Sequence, residues 1–513
     1  MLGGILTTYL ARFASLISYV VLLPVVLNAV GPDAYGVYAM TVALGAMFQQ
    51  DLGMGGATTR FVAVSVPAKD FTRIRDVAVA SVAFYVATAI VMSAATALAF
   101  SIAIPSMNGA TAESVKLGYV LGALGVANVF LVLVLSSNRQ LLVGIGRLSD
   151  VNLLLIGQAL LRIALTWIVI ASGWGVVAVA VVDVSVTLLL GLAAFVLRRL
   201  RLPQVRLSPR AFRLGVLKEL FSMSYQLMII GLASALIMQA GSVISVLTVS
   251  AAAGAAFAAG NRAYQIVKEV TNSLSLAVLP AASMRYSQFG VARNAGLYVR
   301  GTMLANMLML LALVPALVFM DVLMRAWVGG VVAVAAAAVA QILVASMMFN
   351  NNHLLALPVL TAQGAVGAFA VLHTIWAASA VVLSMVLGSS WGVAGVAAGI
   401  AIPIVILEGF YVRETLNRLN LRLREFLSNC LGRPYLTIAP LALALWGVSE
   451  WTSPGLLGAA LLTGGWLVTA CAAYWYFGLD ATTREQAGLT IRRVLGRRGE
   501  GGSTEPDSST SGG

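Results

Sequence analysis

Charged side chains are scarce in this sequence. Asp, Glu, Lys and Arg make up 10% of 513 residues, where soluble domains carry roughly 25%. With 60% hydrophobic residues and a mean hydropathy of +0.94, the chain lacks the surface that a water-soluble protein of this length needs. Cysteine is nearly absent: Cys430 and Cys471 form no metal spacing and no disulfide framework, and they fix no redox compartment. The two histidines, His353 and His373, read as packing residues rather than ligands. There is no Walker phosphate loop, no metal-ligand cluster, no nucleophile–base pair outside the apolar runs, and no connecting loop long enough to fold as a domain. An ATP-driven pump needs a nucleotide site that the sequence does not contain, and no cofactor is expected.

The net charge of +13 does not signal nucleic acid, because the basic residues lie between long apolar runs and not on one soluble face. The first apolar run follows Met1 with neither a basic leader nor a small-residue cleavage site, so it reads as a retained helix. A crossing needs about 20 mostly apolar residues, and in lipid each must be helical to satisfy its backbone. Pro, Gly and charge clusters then place helices near 4–30, 35–64, 76–104, 117–137, 151–171 and 174–197. A second set falls near 219–248, 252–280, 294–320, 333–357, 365–388, 392–412, 433–449 and 455–477. The expected fold is an all-α polytopic membrane protein of about fourteen transmembrane helices.

Charge alternation gives the orientation. With the N-terminus cytoplasmic, the inner connections hold Lys69, Arg73, Arg75, Arg139, Arg147, the run from Arg198 to Lys218, Arg285, Arg293 and Arg300. They continue with Arg413, Arg418, Arg422, Arg424 and Arg433, and with Arg484, Arg492, Arg493, Arg497 and Arg498 in the tail. The opposite connections hold Lys116 and Arg325. Cytoplasmic loops retain Lys and Arg, and a miscounted helix would scramble this pattern. Both termini are therefore expected in the cytoplasm. The basic stretch 198–218 separates an N-terminal lobe, 1–197, from a C-terminal lobe, 219–412. Two six-helix lobes of like orientation fit a pseudo-two-fold axis along the membrane normal. A cytoplasmic loop with two further helices spans 413–477, and 478–513 is a polar tail expected to be disordered.

Ionisable groups within spanning helices are costly and usually face a cavity. Arg12 lies in helix 1, Asp51 and Arg60 in helix 2, Arg162 in helix 5, Asp183 in helix 6, and Arg262, Lys268 and Glu269 in helix 8, with Glu408 snorkelling near the end of helix 12. Arg262 and Glu269 stand two turns apart on one face, with Arg262 near mid-bilayer. One reading makes these structural ion pairs: Arg12 with Asp51, Arg162 with Asp183, Arg262 with Glu269. The other has Arg12, Arg60, Arg162, Arg262 and Lys268 outnumber Asp51, Asp183 and Glu269 around a hydrated vestibule. Guanidinium groups there would grip phosphate oxygens. Pro24, Pro315 and Pro403 offer bends in helices 1, 9 and 12.

Leu27-Asn28-Ala29-Val30-Gly31-Pro32-Asp33-Ala34-Tyr35-Gly36-Val37-Tyr38, then Gln50-Asp51-Leu52-Gly53-Met54-Gly55, and Gly260-Asn261-Arg262-Ala263-Tyr264 in helix 8 resemble motifs of the polysaccharide-biosynthesis flippases. These are the O-antigen and exopolysaccharide branch of the multidrug/oligosaccharidyl-lipid/polysaccharide (MOP) exporter superfamily. Physically, Gly31-Pro32-Asp33 also serves as a plain turn that stops one helix and caps the next. The resemblance implies a bacterial inner-membrane flippase, not an enzyme, that moves a polyprenyl-pyrophosphate-linked oligosaccharide from inner to outer leaflet by alternating access. Its partners would be that lipid-linked oligosaccharide, membrane lipid, a proton or sodium gradient, and a polysaccharide polymerase and export complex. Arg262, Arg12, Arg162 and Lys268 would hold the pyrophosphate or acidic sugars. The rivals are a lipid-linked peptidoglycan precursor flippase and a multidrug exporter, which would want an acidic cavity. A glycan polymerase or ligase would need a large outer loop that is missing. The orientation has a direct check in a chain with Cys430 and Cys471 replaced. Impermeant maleimide should label Lys116→Cys in intact cells and Arg210→Cys only after permeabilisation; the reverse would overturn the topology.

Overall fold

The computed structural model describes residues 2–222, 225–289, 291–479 and 484–485. The basic tail residues Arg492, Arg493, Arg497 and Arg498 and the polar segment after them lie outside these. Helices α1 (Leu2–Val30), α2 (Pro32–Phe48), α3 (Met54–Ser65), α4 (Phe71–Ala103), α5 (Ala112–Gly144), α6 (Leu148–Ala171) and α7 (Gly175–Arg201) form the first lobe. A short α8 (Leu214–Ser222) follows, then α9 (Tyr225–Thr248), α10 (Ala251–Phe289), α11 (Val291–Val318), α12 (Met320–Trp327), α13 (Val332–Asn350), α14 (Ala356–Ala362) and α15 (Gly367–Leu419). The chain ends through α16 (Leu423–Phe426), α17 (Arg433–Thr452) and α18 (Leu456–Ala473), the last two packed beside α11.

Among the described residues, eleven helices are long and apolar enough to cross a membrane. One of them, α15, has 53 residues and turns back on itself at Gly392, whose φ of 62° and ψ of −150° lie outside helical space. Ser384 then donates to the Val396 carbonyl at 2.9 Å across that hairpin. Adding its second arm, the α2–α3 pair and the 39-residue α10, the arrangement is consistent with fourteen crossings of a multi-pass membrane protein.

Two expectations change. Helix 2, expected as one run over 35–64, is broken between Phe48 and Met54. Leu52 and Gly53 there adopt positive φ, 52° and 76°, and the Asp51 carboxylate accepts the Gly53 N–H at 3.0 Å, an Asx-type turn that competes with the helix. Helix 7, expected to start at 219, begins at Tyr225, and the basic linker before it folds onto the first lobe. Leu202, Val205, Val216 and Leu220 pack against Met54, Val62, Ile74 and Tyr85, while Arg213 reaches buried Asp76 at 3.2 Å and Arg73 pairs with Glu219 at 2.6 Å.

The lobes meet where α2 packs on α9 and α10. Small residues make that approach possible: a Cβ on Gly36 would fall 1.7 Å from the Ala251 carbonyl oxygen. The same end is sealed by Asn108, whose side chain donates to the Thr248 and Val249 carbonyls at 3.0 and 3.1 Å. By the charge pattern this is the outer end. Gly36→Leu should wedge it apart. Spin labels at exposed Thr111 and Val331, one on each lobe, should then report longer distances than in the unsubstituted chain. An unchanged distribution would show that Gly36 does not set the closure.

Candidate functional site

Two chambers with shared wall residues lie in the molecule. The first, about 560 Å³, is bounded by α1, α6, α9, α10 and α12, and therefore lies between the lobes. Arg12, Ser15 and Tyr19 of α1 line one wall because spacings of three, four and seven put them on one helical face. The facing stripe on α10 is Arg262, Gln265, Lys268 and Glu269. The second chamber, about 350 Å³, sits mainly within the first lobe and is lined by Tyr35, Tyr38, Asn128, Gln158, Arg162 and Asp183, among others. Tyr19 and Arg262 belong to both walls.

The charges resolve into paired and less paired groups. Arg162 holds Asp183 in an ion pair, with Nε 2.7 Å from Oδ1 and a hydrogen bond from the guanidinium to Oδ2 at 3.1 Å. Tyr38 donates to the same carboxylate at 2.5 Å. This pair matches the ion-pair reading. Arg12 instead pairs with Glu269 across the lobe boundary, not with Asp51, which is occupied in the helix 2 turn. Arg262 donates to Gln265 at 2.7 Å and lies 4.0 Å above the Tyr19 ring. Among the described residues no carboxylate comes within 4.0 Å of Arg262, so the Arg262–Glu269 pair does not form. Lys268 contacts Met238 at 3.7 Å and faces the Tyr264 ring.

Arg60 is exposed on α3 and lines neither chamber, and Asp51 lines neither as well. That leaves four bases, Arg12, Arg162, Arg262 and Lys268, against two acids, Asp183 and Glu269, on the chamber walls. An uncompensated charge in a low-dielectric interior attracts a counter-ion strongly. Chemically, the walls can hold an anion with oxygen acceptors beside an aromatic face.

Sequence reading missed Tyr19, whose ring lies 4.0 Å from Arg262 and 5.4 Å from Arg162. Its spacing seven residues beyond Arg12 was the available signal. It also missed Trp327, which donates to the Val20 carbonyl at 2.8 Å and closes the first chamber from α12.

No family model matches this sequence, and no curated protein does either. Solved structures share its fold. An inward-facing multidrug resistance MATE family transporter of the MOP superfamily superposes with a TM-score of 0.68 at 17% identity, over 80% of this chain and 94% of that one. The inward closed conformation of lipid II flippase MurJ gives 0.69 at 13% identity, over 93% and 99%. A MOP superfamily transporter from Pyrococcus furiosus, described as having a binding pocket of reverse polarity, gives 0.57 at 19%, over 82% and 93%. At such identities the likeness shows a common fold.

The two ion pairs should differ in weight. Arg12 and Glu269 side chains are 37% and 30% exposed, those of Arg162 and Asp183 24% and 16%. Half-exposed pairs contribute roughly 0.2–1 kcal/mol, while removing one partner of a buried pair costs about 3–5 kcal/mol. Thermal melting of the purified protein should therefore show a much larger loss for Asp183→Ala than for Glu269→Ala; equal losses would contradict the assignment.

Proposed function

We propose that the protein is a flippase for a polyprenyl-pyrophosphate-linked oligosaccharide, moving it from the inner to the outer leaflet of the bacterial cytoplasmic membrane for surface or extracellular polysaccharide assembly. The observation that carries this reading is the excess of bases on the walls of a chamber between two lobes, with no carboxylate among the described residues within 4.0 Å of Arg262. A pyrophosphate offers several oxygens to planar guanidinium donors, and the lipid tail can stay in the bilayer while the head group enters. The shared fold with transporters agrees with a carrier rather than an enzyme.

Alternating access follows from the packing. The lobes are in contact where α2 meets α10, so the described state is closed at the end assigned as outer. The same boundary holds the first chamber and the Arg12–Glu269 pair. An anionic guest would compete with Glu269 for Arg12 and draw Arg12, Arg262 and Lys268 inward, exchanging an interlobe ion pair for contacts to itself. Only such a difference in affinity between states can bias the lobe motion. A lipid-linked peptidoglycan precursor has the same pyrophosphate chemistry and is the second reading, favoured by the overlay with the lipid II flippase. A multidrug exporter of cations is disfavoured by the sign of the walls.

Deleting the gene should leave a lipid-linked glycan in the cytoplasmic leaflet and remove a surface polysaccharide, with drug resistance unchanged. Wild type should rescue and Arg262→Ala should not, since losing a charge-assisted contact of about 1.5–3 kcal/mol lowers turnover roughly 10- to 100-fold. Full rescue by Arg262→Ala would remove Arg262 from the site, and altered drug resistance alone would favour the exporter.

A further inference from the structure

The second lobe contains a titratable pair that the cationic chambers do not use. His353 follows α13 in a tight turn and Glu408 lies on the second arm of α15; both are buried, at 8% and 6% exposure. His353 Nδ1 is 2.6 Å from Glu408 Oε2. The turn itself is fixed by amides: Asn306 of α11 donates to Asn352 at 2.9 Å and to the Cys430 carbonyl at 2.7 Å, and accepts from Asn351 at 2.8 Å. The imidazole stacks on the Tyr411 ring, centroids 4.5 Å apart, and stands edge-on to Trp376 at 6.3 Å.

Glu408 has a second face. Its Oε1 is buried with no hydrogen-bond partner among the described residues, and the residue lines a separate apolar groove of about 810 Å³ beneath α13, α15 and α17. A carboxylate oxygen left bare in that setting is costly unless water or a proton reaches it. Other titratable or charged groups stand around the pair. His373 on the first arm of α15 and Tyr411 on the second are joined at 2.8 Å. Arg413 of α15 and Tyr435 of α17 line the groove. Tyr298 of α11 donates to the Asn352 carbonyl at 3.2 Å, and Cys430 lies before α17.

We propose that His353 and Glu408 form the binding site for a coupling proton, loaded and emptied through the groove beside Glu408. The inference rests on the reading of this chain as a transporter. In the empty form neutral His353 donates from Nδ1 to the Glu408 carboxylate, and the pair carries one negative charge. Adding one proton, at Glu408 Oε1 or at Nε2 of His353, gives a pair of zero net charge. A net charge held in an occluded, apolar interior is penalised, whereas the neutral pair is not. The empty form therefore requires a hydrated groove, while the loaded form tolerates a dry one, which links proton occupancy to the state of the second lobe. A basic nitrogen directly on the carboxylate suits a proton better than an alkali cation, which prefers oxygen donors.

Trp376 supplies an internal reporter, since a change of charge on the adjoining His353–Glu408 pair changes indole fluorescence. The full chain in lipid nanodiscs is titrated with acid, and the signal of Trp376→Phe is subtracted to remove the other tryptophans. The result expected is one transition in the wild-type difference signal, lost in Glu408→Gln and in His353→Gln, and unmoved by sodium. No transition in the wild type overturns the proposal whatever the variants do. A transition that persists in both variants overturns it as well, and a tenfold sodium-dependent displacement assigns the site to the cation instead. The titration needs no cargo, so it can succeed where the flippase reading fails. If glycan turnover is measured and the titration is flat, the flippase stands and this site falls.

Discussion

Cost of charge in lipid governs the rest of this structure. A guanidinium at mid-bilayer is disfavoured by at least about 2.5–3.5 kcal/mol on insertion scales, so each one must be paired, shielded or hydrated. Arg162 is paired, Arg12 is paired across the lobe boundary, and Arg262 is shielded by the Tyr19 ring and an amide. The three solutions are unequal. Of these three arginines, Arg262 has no carboxylate within 4.0 Å among the described residues, and it stands on the wall common to both chambers.

The apolar periodicity made most of the fold legible. The helix positions follow from run length and from Gly, Pro and charge punctuation, because a lipid-spanning backbone has few alternatives. Departures occur where local chemistry competes with the helix. The Asp51-Leu52-Gly53 turn breaks helix 2 because a short carboxylate can hydrogen-bond the next amides and Gly53 accepts positive φ. The α8 linker folds because Val216 and Leu220 find an apolar patch on the first lobe, a tertiary contact that no local pattern reveals.

The site was half legible. The stripe Arg262, Gln265 and Glu269 could be read from helical spacing, since residues on one helix keep their relation whatever else packs nearby. Partners on different helices could not be read in the same way. Arg12 was expected to pair with Asp51, and its pairing with Glu269 instead turns a local bridge into a contact between lobes. His353 and Glu408 are 55 residues apart, and the burial that brings them together depends on the fold of α13 over α15. Each looked ordinary alone.

Closure at one end and a basic chamber between the lobes are what support the proposed reading of an anion carrier. The most direct test is equilibrium binding of a polyprenyl pyrophosphate to the purified protein in neutral-lipid nanodiscs, measured against ionic strength and beside a lipophilic cation. The account predicts that the pyrophosphate lipid binds, that its affinity falls as salt is raised, and that the cation does not compete. Preferential binding of the cation, or a pyrophosphate affinity indifferent to salt, would contradict it.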